Sequence, residues 1–297
     1  MGYINVFVSK EAHISVKNSQ LTLTAKDKKI DYPLEDMNSL MIENTESTLS
    51  TYALSSLAEY GILTFVCDKT HLPNGVLLPF CQHYQILSSF ENQQNLPKPL
   101  QKQMWRTLVK NKIANQNDVL NMCGGNDDLK EIYKQVLSGD SSNCEASASV
   151  IYFRGLFGKN FKRREDNAIN DFLNYGYSII RGFVARSICV HGLMPFLGIN
   201  HKNQYNQFNL ADDLMEVFRP LVDLYVKVHL EDVAELTAQV KGQIYNLINV
   251  EVEVDGQKHS ASYAIDLLVQ SFVKSLKEKE DYLKNIKIIG LNIHDYE

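Results

Sequence analysis

YINVFVSKEAHISVKNSQLTLTA, residues 3–25, sets the character of the first part of the chain. β-Forming residues alternate or cluster over 3–8, 12–17 and 20–25, with polar turns between them. A period of two puts one face of each segment against a core and the other in water, so the stretch reads as a run of short antiparallel strands. IDYPL and SLMIE continue it, residues 48–60 read as one helix, and GILTFVC (61–67) returns to strand before a Pro-Asn-Gly turn at 73–75. Residues 1–85 are therefore expected to form a small β-rich domain with an inserted helix. The polar, two-proline segment ENQQNLPKP (91–99) marks the end of a linker, placed at 86–98. From 99 to 297 the period becomes helical, as in Ile265, Leu268, Phe272 and Leu276. The exception is NVEVEVDGQKHSA, where Asp255-Gly256 between alternating segments predicts a β-hairpin near 248–260. The expected fold class is α+β.

A chain of 297 residues with 44% hydrophobic content can bury a sizeable core. It has no apolar run long enough to span a bilayer, and its N-terminus places polar residues where a signal peptide needs its apolar stretch, so a cytoplasmic, membrane-free protein is expected. Five cysteines (Cys67, Cys81, Cys123, Cys144, Cys189) are odd in number and never spaced C-x-x-C, which argues against a disulfide frame or zinc ribbon.

The net charge of −5 argues mildly against a nucleic-acid partner, but its distribution matters more. Two tracts hold five basic and no acidic residues each: Lys98, Lys102, Arg106, Lys110 and Lys112, then Arg154, Lys159, Lys162, Arg163 and Arg164. The four-residue step from Lys98 to Lys110 lays a cationic stripe along one helix face. Such a stripe suits a phosphate backbone, and its bland alternative is a solvated face.

The stretch richest in chemistry is GINHKNQYNQFNLADDLMEVFRP (198–220), which sets an imidazole a short loop ahead of a helix that opens with carboxylates. Asn209 is placed to cap that helix with Asp212 at its third position, leaving Asp213 and Glu216 as neighbours on one face. His201 can fold back over that face. The best third ligand for a metal is Glu145 in NCEASASVIYFRG, with Ser149 and Tyr152 on its side at helical spacing. Each has a duller alternative: a hydrogen-bonded structural histidine, acids favouring a helix N-terminus, a surface glutamate.

Glu145 with Tyr152, KRREDNAINDFLNYGY (162–177), GLMPFLGINH (192–201) and NLADDLMEVFRP (209–220) together resemble the CRISPR-associated spacer integrase family, in the version typical of type II systems. The resemblance extends to PLQKQMWRTLVKNKIANQ (99–116) and GILTFVCDKTHLPNGVLLP (61–79). It implies an N-terminal β-sandwich-like dimerisation domain followed by a larger, mostly α-helical catalytic domain. It implies a metal triad of Glu145, His201 and Glu216 holding Mg²⁺ or Mn²⁺, with Asp213 as the accessory acid. Tyr152, Asn170 and Arg219 become supporting residues, and the basic tracts become DNA-binding.

The implied activity is insertion of captured duplexes into a CRISPR array, a 3′-hydroxyl attacking a repeat phosphodiester. The implied partners are double-stranded DNA, a second copy of the chain, a small ferredoxin-fold CRISPR-associated dimer bridging two such dimers, and further type II adaptation proteins. Two rivals stand beside this: a stand-alone structure-selective endonuclease using the same metal centre, and a non-catalytic DNA-binding scaffold whose acids only cap helices.

Overall fold

The computed structural model describes residues 2–26, 28–78, 85–125 and 129–295. The strand-rich beginning forms β1 (Ile4–Val8), β2 (His13–Lys17), β3 (Gln20–Ala25), β4 (Lys28–Pro33), β5 (Met37–Ile42) and β6 (Thr48–Leu49). Helix α1 (Thr51–Glu59), capped by the Ser50 hydroxyl, then leads to β7 (Leu63–Cys67) and β8 (Pro73–Leu77). They assemble as two four-stranded sheets, ordered β1-β5-β7-β8 and β4-β3-β2-β6.

Not all pairings are antiparallel, as the sequence reading has them: β1 with β5, β5 with β7 and β2 with β6 are parallel. Burial explains the first two. All six residues of β5 are buried, with Leu40 and Ile42 in the core shared by the two sheets and Met41 in the core of the helical part. A strand covered on both faces loses the alternation that marks a half-exposed one and is free to pair in parallel. The Pro-Asn-Gly triplet, expected as a turn, lies in edge strand β8, where proline's missing N–H is tolerated.

The span read as a linker is largely helix α2 (Ile86–Gln94). Next comes α3 (Lys98–Met122), started by Pro99 in its first turn, where an N–H has no intrahelical partner to lose. The helical part continues with α4 (Lys130–Gln135), α5 (Cys144–Phe157), α6 (Ala168–Val190), α7 (Asn209–Met215), α8 (Arg219–Tyr225) and α9 (Ala238–Tyr245). The expected hairpin is present as β9 (Val250–Val254) and β10 (Gln257–Ser260), turning through Asp255 and Gly256 at φ 52° and 79°. After α10 (Ala261–Glu278), β11 (Ile286–Ile293) adds a third strand beside β9 that the sequence reading missed.

The sheet β1-β5-β7-β8 is fastened to the helices by polar as well as apolar contacts. Ser39 bonds Tyr245, Asn38 donates to Ser262, and buried Lys241 pairs with buried Glu43 at 3.2 Å. Phe65 packs so closely over α6 that a Cβ on Gly182 would fall 2.3 Å from its ring. Among the described cysteines, Cys67, Cys123 and Cys144 are free thiols, and burial pushes Cys67 up to about 12; Cys81 lies outside the described residues. No helix among the described residues is long and apolar enough to cross a membrane.

Candidate active site

Four segments meet around the acids, and α3 is their spine. Buried Asn115 donates to the Val217 carbonyl and to Ile286 of β11, while Asn111 exchanges two bonds with Ile286. These side-chain bonds fix the turn that carries Glu216 against α3. That turn is a 3₁₀ segment, Glu216–Phe218, between α7 and α8, rather than the continuation of a single helix through 209–220. Pro220 accounts for the break: it has no N–H for the Glu216 carbonyl four residues back, and its ring clashes with that carbonyl.

Glu145 sits in the first turn of α5, whose N-terminus is closed by Asp140 accepting from the N–H groups of Cys144 and Glu145 at 2.9 and 3.0 Å. Its carboxylate accepts from Lys112 of α3 and, at 3.5 Å, from Ser149 one turn on. The same Lys112 ammonium lies 2.5 Å from Glu216 Oε2. Two acids within contact of one ammonium are within about 6 Å of each other. Glu216 is 7% exposed, and Arg219 Nε approaches its other oxygen at 2.9 Å. Burial alone would raise Glu216, but the Lys112 and Arg219 charges outweigh it and hold the carboxyl at about 2. Burial likewise opposes the Lys112 charge, and Glu216 and Glu145 outweigh it, so its pKa is raised.

His201 lies on the loop before α7. Asp213, fully buried, accepts from the N–H of Asn200 at 2.9 Å, from the N–H of His201 at 3.1 Å and pairs with His201 Nδ1 at 2.6 Å. The Asp213 bond raises the His201 pKa against the effect of burial, with Glu216 and Asp212 adding to it. Asp213 is raised by burial, which its bonds to His201 and Asn200 only partly offset. With Nδ1 engaged, Nε2 is the nitrogen turned to other use. Trp105 of α3 meets the imidazole edge-on, ring centres 6.0 Å apart.

Asn209 and Asp212 do not cap the helix as expected. Asn209 stands inside α7 and knots the loop, donating to the carbonyls of Phe196, Asn203 and Asn206. Asp212 instead pairs with Arg181 at 2.8 Å.

A chain with this two-part α+β plan, matching the family model described as CRISPR associated protein Cas1 over residues 6–232, can be assigned on that match. It belongs to the Cas1 family. A CRISPR-associated endonuclease Cas1 from Neisseria meningitidis serogroup C is 36% identical over 305 aligned residues, covering 100% of both chains. A casposase bound to integration product has a TM-score of 0.76 at 19% identity, over 95% of this chain and 92% of its own. A chain of a Cas6-RT-Cas1–Cas2 complex has a TM-score of 0.70 at 18% identity, over 94% of this chain and 35% of its own. Likeness at that identity speaks for the fold.

In this Cas1-family chain the three residues expected as a triad fall on neighbouring elements, but their side chains are divided. Glu145 and Glu216 close on Lys112, and His201 turns to Asp213. Among the described residues no three His, Cys, Asp or Glu side chains stand close enough to grip one ion. Asp213 orients His201; it does not pair with Arg219, which goes to Glu216. The residue that sequence reasoning missed is Lys112. It breaks the four-residue step of the stripe by lying two residues beyond Lys110, which turns it to another side of α3. That offset was the available signal.

The supporting residues brace a second layer. Tyr152 is wholly buried and packs on Phe153 at 5.1 Å between ring centres, which removes it from solvent contact. Asn170 pins the preceding loop, donating to the carbonyls of Lys162 and Glu165 and accepting from Arg163 at 3.0 Å. Arg163 and Arg219 both lie against the Tyr177 ring, 5.1 and 4.5 Å from its centre. In the basic tracts Lys98, Lys102, Arg106, Arg154, Lys159, Lys162 and Arg164 are exposed. Arg106 donates to the Val136 carbonyl and Lys110 lies over Tyr133, so neither cation of that pair is idle.

Beneath this layer Tyr177 donates to buried Asp223, with the Tyr152 hydroxyl alongside, and burial pushes Asp223 up to about 6. A raised carboxyl favours the folded state fully below its unfolded value near 3.8, and that contribution is lost as pH rises through 6. The Asp223→Asn variant keeps an acceptor for Tyr177 without the titration. It should therefore gain about 2–3 kcal/mol relative to wild type between pH 4 and pH 8 in urea unfolding. A difference that does not change with pH contradicts this assignment.

Proposed function

We propose that this protein is a metal-dependent DNA integrase that inserts captured DNA fragments into a CRISPR array by attack of a fragment's 3′-hydroxyl on a repeat phosphodiester. The observation that carries the reading is the pair Glu145 and Glu216, brought from distant parts of the chain onto one cationic group, with a carboxylate-oriented imidazole near enough to Glu216 to feel its charge. Membership of the Cas1 family and likeness to a casposase bound to integration product support it.

The donor set suits a divalent ion. Two carboxylates that already hold an ammonium between them are hard oxygen donors for Mg²⁺ or Mn²⁺, and His201 Nε2 adds a nitrogen that tilts the preference to Mn²⁺. When bound there, such an ion polarises the phosphodiester and lowers the pKa of the attacking hydroxyl. The chain's own residues do the rest. Asp213 holds the imidazole in one orientation, as the outer partner of a ligating histidine does. Arg219 fixes one Glu216 oxygen. Exposed Lys98, Lys102, Arg106, Arg154, Lys159, Lys162 and Arg164, with Lys110 and Arg163 beside them, hold the DNA backbone.

The two ends of a captured duplex of roughly 30 base pairs lie about 100 Å apart at 3.4 Å per pair, so each must reach its own centre. The protein therefore acts as a homodimer, with a small ferredoxin-fold CRISPR-associated dimer bridging two such dimers in the cytoplasm. Tyr3, Ile30, Tyr52 and Tyr60 leave apolar surface exposed on the strand-rich part, which fits a contact between copies. Further type II adaptation proteins select the DNA.

Water in place of the 3′-hydroxyl turns the same centre into a nuclease, and the endonuclease name of the Neisseria relative favours that as the second reading. Product analysis separates them. The purified chain with its small partner, Mn²⁺ or Mg²⁺, a labelled duplex and a plasmid carrying the repeat should yield label covalently joined at the repeat ends. Joining should weaken steeply between about 50 and 200 mM salt. Plasmid that is only nicked, with label never attached under any metal condition, replaces integration by hydrolysis.

A further inference from the structure

The ammonium between the two acids has no place in a simple list of metal ligands. Lys112 is 6% exposed, so it cannot belong to the outward stripe formed by Lys98, Lys102 and Arg106. Its Nζ donates to Glu145 and lies 2.5 Å from Glu216 Oε2. Without it the buried Glu216 carboxylate would face the half-buried Glu145 carboxylate, with Arg219 as the counter-charge on Glu216 among the described residues. Like charges held that close repel, and removing one partner of a buried ion pair is strongly destabilising. A divalent cation bound to the same oxygens would meet the ammonium at contact distance, so the two cannot share the place. The lysine stem has four rotatable carbons, enough to carry its charge away without moving α3.

We propose that Lys112 is the internal counter-ion of this centre: its ammonium holds Glu145 and Glu216 together in the metal-free protein, competes with the divalent ion for their oxygens, and leaves them when the ion binds. The inference rests on the reading of Glu145, Glu216 and His201 as metal ligands. It adds that metal affinity is set by a displaced side chain as well as by the ligands. The ammonium preserves the geometry of an empty site at the expense of affinity for the ion.

The test is calorimetric titration of the full-length chain with Mn²⁺ alone, without DNA, alongside thermal melting. Lys112→Met should bind Mn²⁺ at least about ten-fold more tightly than wild type, melt lower without metal and gain more on adding it. Lys112→Arg, which keeps the charge and grips carboxylates with two donors, should bind Mn²⁺ several-fold more weakly than wild type and covers the case in which Lys112→Met does not fold. Glu216→Gln separates the two levels of the argument. If Glu216→Gln abolishes Mn²⁺ binding but Lys112→Met binds no better than wild type, the metal site stands and the counter-ion role falls. Lys112→Arg binding more tightly than wild type also overturns it. If wild type binds no Mn²⁺ and neither variant does, both readings fall.

Discussion

Glu216→Gln should reduce strand joining by at least about 10³-fold, equivalent to about 4 kcal/mol of transition-state stabilisation, while duplex binding changes by less than about two-fold. The carboxylate is 7% exposed and held ionised by Lys112 and Arg219 to about pH 2, so its charge is present under any working condition. Gln keeps the shape and removes the charge. On the proposed reading DNA binding is spared, because it would draw on the exposed lysines and arginines of the two tracts, which the substitution does not touch. Stability must fall as well, since Lys112 and Arg219 lose their shared partner. Joining, filter binding and melting measured on one preparation separate these effects. A folded variant that binds DNA and joins strands within ten-fold of wild type would remove Glu216 from the chemistry.

Gly198→Ala is the second large effect. A Cβ at Gly198 would lie 2.3 Å from the His201 carbonyl oxygen and 2.9 Å from Asp213 Oδ2. The first of these is backbone, so it cannot yield without moving the loop that carries the imidazole. Asp213 would then lose one or both N–H groups of Asn200 and His201, and the imidazole its orienting partner. Joining should fall by about 10–100-fold, as losing an outer partner of a metal ligand does, with a loss of stability of about 1–3 kcal/mol. Rates and urea unfolding check both parts. A Gly198→Ala protein with wild-type joining shows that the placement of His201 is not needed.

What the sequence makes legible follows from how local each feature is. His201 and Asp213 lie within one loop and the helix that follows it, so their pairing is local, whereas the break that turns Glu216 toward Lys112 is set by Pro220 and packing on α3. Glu145 is different. Its approach to Glu216 depends on how α5 and the 3₁₀ turn pack against α3, which no spacing encodes, and the family resemblance is what favours it over a surface glutamate. Lys112 shares a tract with surface cations, and its inward direction is visible only if the helical phase is followed past Lys110. Asn209 has the chemistry of a cap, but a side chain with both donors and an acceptor is equally able to knot a loop, and tertiary contacts chose that use.

The strand-rich part was legible as strand and not as topology. Alternation reveals which residues are buried, whereas parallel pairing of β1, β5 and β7 depends on partners far along the chain. The six buried residues of β5 give the one local hint, since a strand covered on both faces belongs to a middle layer. The segment ending in ENQQNLPKP resembled a linker by composition, yet α2 forms there because Ser89 and Gln93 are buried, Gln93 bonding the Met194 backbone at 2.8 and 3.2 Å.

The central claim is that one divalent ion is held jointly by Glu145, His201 and Glu216. The most direct measurement is an anomalous difference map from crystals of the protein equilibrated with Mn²⁺. The account predicts one strong peak about 2.0–2.6 Å from a carboxylate oxygen of Glu145, a carboxylate oxygen of Glu216 and Nε2 of His201, with the Lys112 ammonium withdrawn. A map with no peak there, or with Lys112 still between the two acids and the ion bound elsewhere, contradicts it.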